Sequence, residues 1–369
     1  MTPQHVSRDI NQRKKASNGI RSNVLVMPSV ICSHIVADEI AAAVPGAVAT
    51  SHDHGCGQIG ADEATTRRTL INVGLNPNVS GAVIVGLGCE TVQSSGIVSG
   101  MREGGLSVES VVIQEVGGTD ECIARGIEYA EDMVQRDIKA RDDAIDLGDL
   151  TIGLVASDVR DSTRSVVEPL AVDLIDQVID AGGRVVMAGR ERFLTDESVL
   201  GDRTASTDVA ETLQERVTGN AGQYHRIMPA SQEVFSLSDD EKRSLLGDHA
   251  VQAILEYGER ALHEDGIAIV NASMQFEEAA TAVSAAGAHL IVHLTAEGIP
   301  TGHPVVPVLK ITGEPQTADV MGADIDIDGR ESSIDTLCET VMEAANGQAT
   351  CAEQHGVSQF SIARFGPSM

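Results

Sequence analysis

The chain has 369 residues, which is enough for roughly two or three domains, each with its own apolar core. Its formal net charge is -29, from 55 acidic and 26 basic residues. That charge excludes a nucleic-acid binder, which needs a basic surface to meet the phosphate backbone. We also expect no membrane association, because no apolar run approaches the roughly 18 residues of a spanning helix.

The acidic residues are spread along the whole chain and are not gathered in one tail. We interpret them as the solvated surface of a halophilic protein, in which salt screens the repulsion between like charges. An acidic patch for a basic partner is the alternative. The six cysteines form no C-x-x-C pair, so we expect free thiols in a reducing cytoplasm.

Apolar runs of strand length alternate with segments of helical periodicity in the first part of the chain. Residues 1–20 precede this pattern and are predicted to be a flexible arm, because they lack the apolar core of a signal sequence. In chain order we predict a strand from Val24, a helix ending at Val44, a strand at 47–51, a helix at 62–73, strands at 82–88 and 107–114, and a long helix near Thr119. The charged residues 139–149 have little to bury, so we predict a domain boundary there.

A second pattern of strands and helices begins at Leu150, interrupted by the polar and weakly periodic residues 191–248. We predict a strand at 151–158, a helix at 166–181, a strand at 182–189, a helix at 250–262, a strand at 266–273, a helix at 276–288, and strands at 289–295 and 307–313. This alternation is typical of parallel sheets. The predicted fold class is therefore α/β, with two Rossmann-like parallel-sheet domains, 21–145 and 146–369, that carry helices on both faces.

A first polar turn, SHDHGCGQIG, follows the strand that ends near residue 51. Five side chains crowd seven positions in it: His52, Asp53, His54, Cys56 and Gln58. Imidazole and carboxylate groups suit a divalent transition metal, and H-x-H in an extended segment puts both rings on one side. We predict a metal or substrate role for this turn. A polar loop held by its own hydrogen bonds is the alternative.

A second polar turn, GLGCETVQ, follows the next buried strand and supplies Cys89, Glu90 and Gln93. If the two strands are parallel neighbours, both turns open on the same sheet edge, where α/β proteins bind ligands. Glu90 there is either a ligand or acid/base group, or a carboxylate that complements a helix N-terminus. Cys56 and Cys89 could ligate an iron-sulfur cluster, although small buried cysteines are commoner.

The remaining sequence patterns give weaker indications of a reaction or a ligand site. GLGCE lacks the third glycine and the acidic residue of a dinucleotide fingerprint, which excludes a nicotinamide enzyme. The aspartates between Asp324 and Asp335 fit a calcium-loop pattern, which we attribute to chance in so acidic a chain. Late in the chain, Lys310 follows three histidines and is interpreted as a strand-end lysine that could act as a base or a carboxylate anchor. The three histidines, which could equally be core residues, are His289, His293 and His303.

Several of these motifs together resemble the altronate dehydratase family of sugar-acid dehydratases, which includes galactarate dehydratase and the large chain of sulfolactate sulfo-lyase. The resemblance rests on RSNVLVMPSVICS, SHDHGCGQIGAD, TRRTLINVGLNPNVSGAVIVGLGCETVQ, the segment from Tyr257 to Lys310, and EAANGQATCAEQ. It implies a hydro-lyase that removes water from an altronate- or galactarate-type acid to give a 2-keto-3-deoxy acid. It also implies a divalent metal, iron(II) or manganese, and an oligomer.

Two departures from the family pattern matter. The small first domain of the family is missing, which implies a small companion subunit. In the middle of the chain, VASDVRDSTR stands where the dehydratases carry a C-G-G-S-D-G-like motif, and two later motifs have no counterpart. Sulfite elimination from sulfolactate and diketo-acid hydrolysis are therefore kept as alternatives. A non-catalytic scaffold that binds a sugar acid for a small partner is the alternative from another class.

The resemblance and the two turns together give the predicted site. The expected catalytic residues are His54, Glu90 and Lys310; the expected substrate-binding residues are Ser29, Gln58, Gln93 and Arg67; and the expected metal ligands are His52, His54 and Cys56.

Overall fold

The structure is a computed structural model that describes residues 19–137, 145–220 and 229–366. The predicted N-terminal arm, up to Asn18, and most of the predicted boundary segment lie outside these residues. Within them the strands form two sheets, and every pairing is parallel. The predicted α/β class with Rossmann-like parallel sheets is confirmed. The division of the chain into 21–145 and 146–369 stays a prediction.

The first sheet has four strands in the order β2-β1-β3-β4. They are β1 Asn23–Pro28, β2 Ala47–Ala49, β3 Val79–Gly86 and β4 Val108–Val112. The helices of this part are α1 His34–Ala43, α2 Ala61–Gly74, α3 Ser94–Glu103, the short α4 Ile113–Val116, and α5 Thr119–Asp137. Valine, leucine and methionine side chains from Val24 to Met27 are fully buried, as expected for a strand covered on both faces.

The second sheet has seven strands in the order β11-β10-β9-β5-β6-β8-β7. They are β5 Thr151–Ala156, β6 Arg184–Ala188, β7 Val251–Leu255, β8 Gly266–Val270, β9 Leu290–Leu294, β10 Val308–Thr312 and β11 Ile327–Asp328. The helices are α6 Glu168–Asp180, α7 Arg190–Phe193, α8 Glu197–Leu200, α9 Thr207–Asn220, α10 Pro229–Phe235, α11 Asp239–Arg243, α12 Phe276–Ala285, α13 Pro315–Val320, α14 Ile334–Ala345 and α15 Cys351–His355.

The helix predicted at 250–262 is wrong. Its first residues form β7, which pairs with β8, and the chain then turns at Gly258 with φ +79. The apolar residues of this segment fit either periodicity, and β-branched Val251 and Ile254 favour a strand once β8 offers hydrogen-bonding groups. Tertiary pairing therefore overrides the local pattern.

The two sheets are joined by side-chain contacts between their layers. Helix α2 packs on α12, and one apolar cluster contains buried residues from both parts of the chain. Asn76 Nδ2 donates to the carbonyls of Ser284 and Ala288 at 2.8 and 2.9 Å, and Asn78 Nδ2 donates to that of His289 at 2.9 Å. The first sheet is thus held in a fixed place against the second. Across the described ranges, no helix is long and apolar enough to cross a membrane.

The order of the first sheet places both polar turns at one edge. β1 lies between β2 and β3. The chain therefore runs from β1 outward to β2 on one side, and from β3 outward to β4 on the other side. The carboxyl ends of these strands are followed by the turns His52–Gly60 and Gly86–Gln93. A ligand crevice is expected beside such a reversal of strand order.

Candidate active site

The turn His52–Gly60 is held against the strand ends by backbone hydrogen bonds. The His54 carbonyl accepts from the N–H of Ile31 at 2.8 Å, and the Gly55 carbonyl accepts from that of Thr91 at 3.1 Å. Gln58 is buried and its Oε1 accepts from the Gly55 N–H at 3.1 Å. Gln58 therefore stabilises the turn from inside.

His52 is buried and uses both ring nitrogens in the turn. Its Nε2 lies 2.8 Å from the Pro28 carbonyl, and its Nδ1 accepts from the His54 N–H at 3.2 Å. The Pro28 carbonyl can only accept, so the proton is on Nε2. Burial lowers the pKa of His52 to about 4, despite its hydrogen bond to Pro28, so the ring is neutral. His52 fixes the end of β1 to the turn.

His54 is buried and lies between an acid and a guanidinium. Its Nδ1 is 2.7 Å from Asp53 Oδ1, and its Nε2 is 3.4 Å from Arg364 Nε. A guanidinium can only donate, so Nε2 presents its lone pair and Nδ1 carries the proton toward Asp53. Burial lowers the pKa of His54, although Asp53 opposes the shift. A neutral imidazole in this tautomer can accept a proton at Nε2.

Glu90 is a buried carboxylate whose two oxygens are both engaged. Ser29 Oγ donates to Oε1 at 2.8 Å, and the Gly88 N–H donates to Oε2 at 2.6 Å. Burial alone would raise the pKa of Glu90, but the hydrogen bonds from backbone N–H groups and from Ser29 outweigh it and lower the pKa. Glu90 is therefore ionised at neutral pH. Ser29 and Glu90, predicted separately, form one hydrogen-bonded pair.

The C-terminal strap, residues 356–366, contributes to the site and was not found from the sequence. The N–H groups of Phe365 and Gly366 donate to Asp62 Oδ1 at the start of α2, at 2.9 and 2.7 Å. Tyr257 Oη lies 2.9 Å from the carbonyl oxygen of Glu278 and 3.2 Å from that of Ser361, and its one proton can be donated to either. These contacts bring Arg364 onto the first turn. The only sequence signal was a basic residue between apolar ones near the end of an acidic chain.

A cleft of about 650 Å³ opens beside the strap. The Phe360 ring lies 6.2 Å from that of His52 and 5.7 Å from that of His303. The cleft is lined by Asp38, Ala49, Ser51, Gln275, Glu277, Pro304, Ser358, Gln359, Phe360 and Ser361. Its lining is mostly polar and includes two carboxylates.

The predicted site residues Arg67, Gln93 and Cys56 are exposed, unlike His52, His54 and Glu90. Arg67 is exposed on α2 and lines a second cavity of about 370 Å³. Gln93 is exposed, and its Nε2 donates to the carbonyl of Glu90. Cys56 is exposed, as is Cys89.

The position predicted for Lys310 is wrong. It is the third of five residues in β10, beside His293 of β9, and not at a strand end. It is fully buried, no hydrogen-bond partner is found for its Nζ among the described residues, and burial lowers its pKa. The strand predicted at 307–313 already extends past Lys310, so the strand-end interpretation conflicts with the predicted bounds as well as with the structure. Its catalytic role stays a prediction.

The predicted metal ligands do not form a metal site in this arrangement. Both nitrogens of His52 are bonded within the turn, while Cys56 faces solvent. No group of three or more histidine, cysteine, aspartate or glutamate side chains in the described ranges is placed to hold a metal ion. The donor set therefore does not fit the expected ion, and no step proposed below uses one.

His54, a buried neutral imidazole at the carboxyl edge of the first sheet beside the Arg364 guanidinium, is therefore the candidate site of an α/β enzyme. Two family models match the chain: D-galactarate dehydratase/Altronate hydrolase, second domain, over residues 11–137, and D-galactarate/Altronate dehydratase, C-terminal, over residues 241–368. The chain belongs to the galactarate/altronate dehydratase family.

Relatives over nearly the whole chain are named lyases or dehydratases. The chain is 26% identical over 379 residues to (2R)-sulfolactate sulfo-lyase subunit beta of Chromohalobacter salexigens, covering 96% of each. It is 25% identical over 393 residues to altronate dehydratase of Escherichia coli, covering 98% of this chain and 78% of the relative. The corresponding values for Bacillus subtilis altronate dehydratase are 23% over 391 residues, 97% and 78%. The predicted family and lyase class are confirmed.

Two glycines of the first turn provide a matched test of its geometry. A Cβ at Gly55, φ +97, would lie 2.2 Å from the Ser29 carbonyl oxygen, whereas one at Gly57, φ +67, would meet nothing within 4 Å. We expect Gly57→Ala to lower the free energy of unfolding by about 1–2 kcal/mol. Gly55→Ala should cost about 1–3 kcal/mol more. Urea unfolding in high salt measures both, and equal losses would contradict the packing described.

Proposed function

We propose that the chain is the large subunit of a lyase that removes water from a sugar acid of the altronate or galactarate type. The product is a 2-keto-3-deoxy acid. The observation that carries the proposal is His54, a buried neutral imidazole whose Nε2 presents a lone pair while Nδ1 faces Asp53. Membership of the dehydratase family supports the reaction type.

In the proposed reaction, His54 Nε2 takes the proton from the carbon beside the carboxylate. The electron pair of that C–H bond forms the carbon–carbon double bond as the bond to the neighbouring hydroxyl breaks. The His54 imidazolium returns its proton to that hydroxyl, which leaves as water. The resulting enol then takes a proton on carbon and becomes the ketone. Asp53, 2.7 Å from Nδ1, stabilises the imidazolium formed in the first step.

Glu90 suits a supporting role in this scheme. It is ionised, so it cannot protonate the leaving hydroxyl from the state described. Its bonds to Ser29 and to the Gly88 N–H hold the second turn at the strand edge. We propose that Glu90 and Ser29 keep this turn in place, that Gln58 does so for the first turn, and that Gln93 contacts substrate.

A small companion subunit is part of the proposal. A relative that matches the chain over 96% of both lengths is itself named as a beta subunit. The altronate dehydratases are longer, since the alignment covers 78% of each. The name of the Chromohalobacter salexigens relative favours a second candidate, sulfite elimination from sulfolactate, in which the same proton is removed and a carbon–sulfur bond breaks.

A product panel tests the proposed reaction. The chain, purified in high salt with any small subunit that accompanies it, is supplied with altronate, galactarate and sulfolactate. We expect a 2-keto acid from altronate or galactarate, without sulfite. Sulfite from sulfolactate alone would favour the second candidate. No product from any of the acids would contradict the lyase and favour a sugar-acid-binding scaffold.

His54→Gln tests the proton acceptor. We expect kcat to fall by about 10²–10⁴-fold, because the amide cannot take a proton at the position of Nε2. His355→Gln is the control. The His355 ring belongs to α15, is half-exposed and pairs with Asp324. Its kcat should match that of the wild type. A His54→Gln enzyme with near wild-type kcat would rule out the assigned role.

Metal content is measured separately. Iron(II) or manganese stays an expectation of the resemblance, whereas the described contacts of His52 and Cys56 do not suit ligation. We therefore expect His52→Ala and Cys56→Ser to keep the metal content of the wild type by elemental analysis. His52→Ala should also unfold at lower temperature, because the Pro28 carbonyl loses its partner. Loss of metal from either variant would support the predicted ligands.

A further inference from the structure

We propose that Arg364 binds the carboxylate group of the substrate beside His54. The inference rests on the proposed function, because it names the residue that recognises the acid which His54 deprotonates. It makes the last residues of the chain part of the substrate site. The base then comes from the first sheet's edge and the anion-binding group from the C-terminal strap.

The position of the guanidinium carries the proposal. Arg364 Nε lies 3.4 Å from His54 Nε2, and Nη2 donates to Asp53 Oδ2 and, at 3.4 Å, to the Asp53 carbonyl. A carboxylate that takes over the N–H groups of this guanidinium would free the lone pair of Nε2, with the α-carbon of the substrate close by. The arginine side chain is 29% exposed, so a ligand can reach it while part of it is shielded from water. Arginine presents five N–H donors in a planar fork that matches a carboxylate.

The strap fixes Arg364 from both sides. Before it, Ile362 and Ala363 are buried in the apolar core, and after it, Asp62 accepts from the N–H groups of Phe365 and Gly366. The Phe365 ring lies 5.6 Å from the Tyr257 ring. The guanidinium carbon of Arg190 lies 4.5 Å from the centroid of the Phe365 ring, above its face. These contacts leave little conformational entropy to lose when a ligand binds.

Arg68 and Arg190, which also lie near the strap, are hydrogen-bonded to other residues. Arg68 donates to the Tyr257 carbonyl at 3.0 and 2.7 Å, and Arg190 donates to Asn271. The chain carries 55 acidic residues against 26 basic ones, a field that repels an acid substrate. A guanidinium at the site offsets this repulsion locally.

The test compares altronate with altronamide, its neutral amide, in high salt. KM, kcat and calorimetric binding are measured for the wild type, Arg364→Gln and Arg364→Lys. The control is Arg125→Gln, an exposed arginine of α5 that pairs with Glu121. We expect Arg364→Gln to weaken altronate binding and raise KM by about 10- to 100-fold, with a smaller change in kcat. The same variant should bind altronamide with an affinity that changes less than about threefold. Arg364→Lys should recover part of the lost altronate binding. Arg125→Gln should behave as the wild type.

Calorimetry separates this inference from the proposed function. If the wild type releases no product, the lyase fails, but selective loss of altronate binding in Arg364→Gln still supports the carboxylate contact. The inference is overturned if the wild type binds altronate no better than altronamide, or if the variant weakens both equally. If Arg364→Gln unfolds at a lower temperature than the wild type, the binding of altronate by Arg364→Lys decides the question. Altronate binding equal to that of the wild type overturns the proposal. A loss of altronate binding between that of the wild type and that of Arg364→Gln supports it.

Discussion

The hydrogen bond between the buried His52 ring and the Pro28 carbonyl sets the position of the whole first turn. Through it the turn is attached to the end of β1, and the other ring nitrogen then orients the N–H of His54. A charged imidazole could not accept at Nδ1, so the arrangement depends on burial keeping the ring neutral. The first histidine of H-x-H is thus engaged in holding the turn, and the second is the one that the proposed function uses as proton acceptor. Two residues that look equivalent in sequence have different tasks.

Much of the architecture could be predicted because its signals are local. The run from Val24 to Met27 is apolar throughout, and the glycines after β2 and β3 indicate turns. Sheet order then brings both turns to one edge, so the site's location followed from strand alternation. The edge strand β7 was missed because Val251–Leu255 fits either periodicity, and only its pairing with β8 decides.

The composition of the site was harder to predict than its place. Arg364 contacts His54 across 310 residues of sequence, and no periodicity links the two. Nothing local in the sequence shows that Lys310 is fully buried, with no partner for its Nζ among the described residues. Residue type also says nothing about which nitrogen of a histidine is engaged. In each case the missing information is long-range packing, which a single sequence does not contain.

The asparagine contacts between the two sheets bear on how a substrate enters. Asn76 and Asn78 bind carbonyls of the second part of the chain, and the apolar cluster runs across the same boundary. Two lobes that share a core unfold together and do not open like a hinge. The strap belongs to the same core, because Ile362 and Ala363 lie in this cluster and the rings of Phe360 and Phe365 pack against it. Release of the strap would therefore also open part of the core that joins the two lobes.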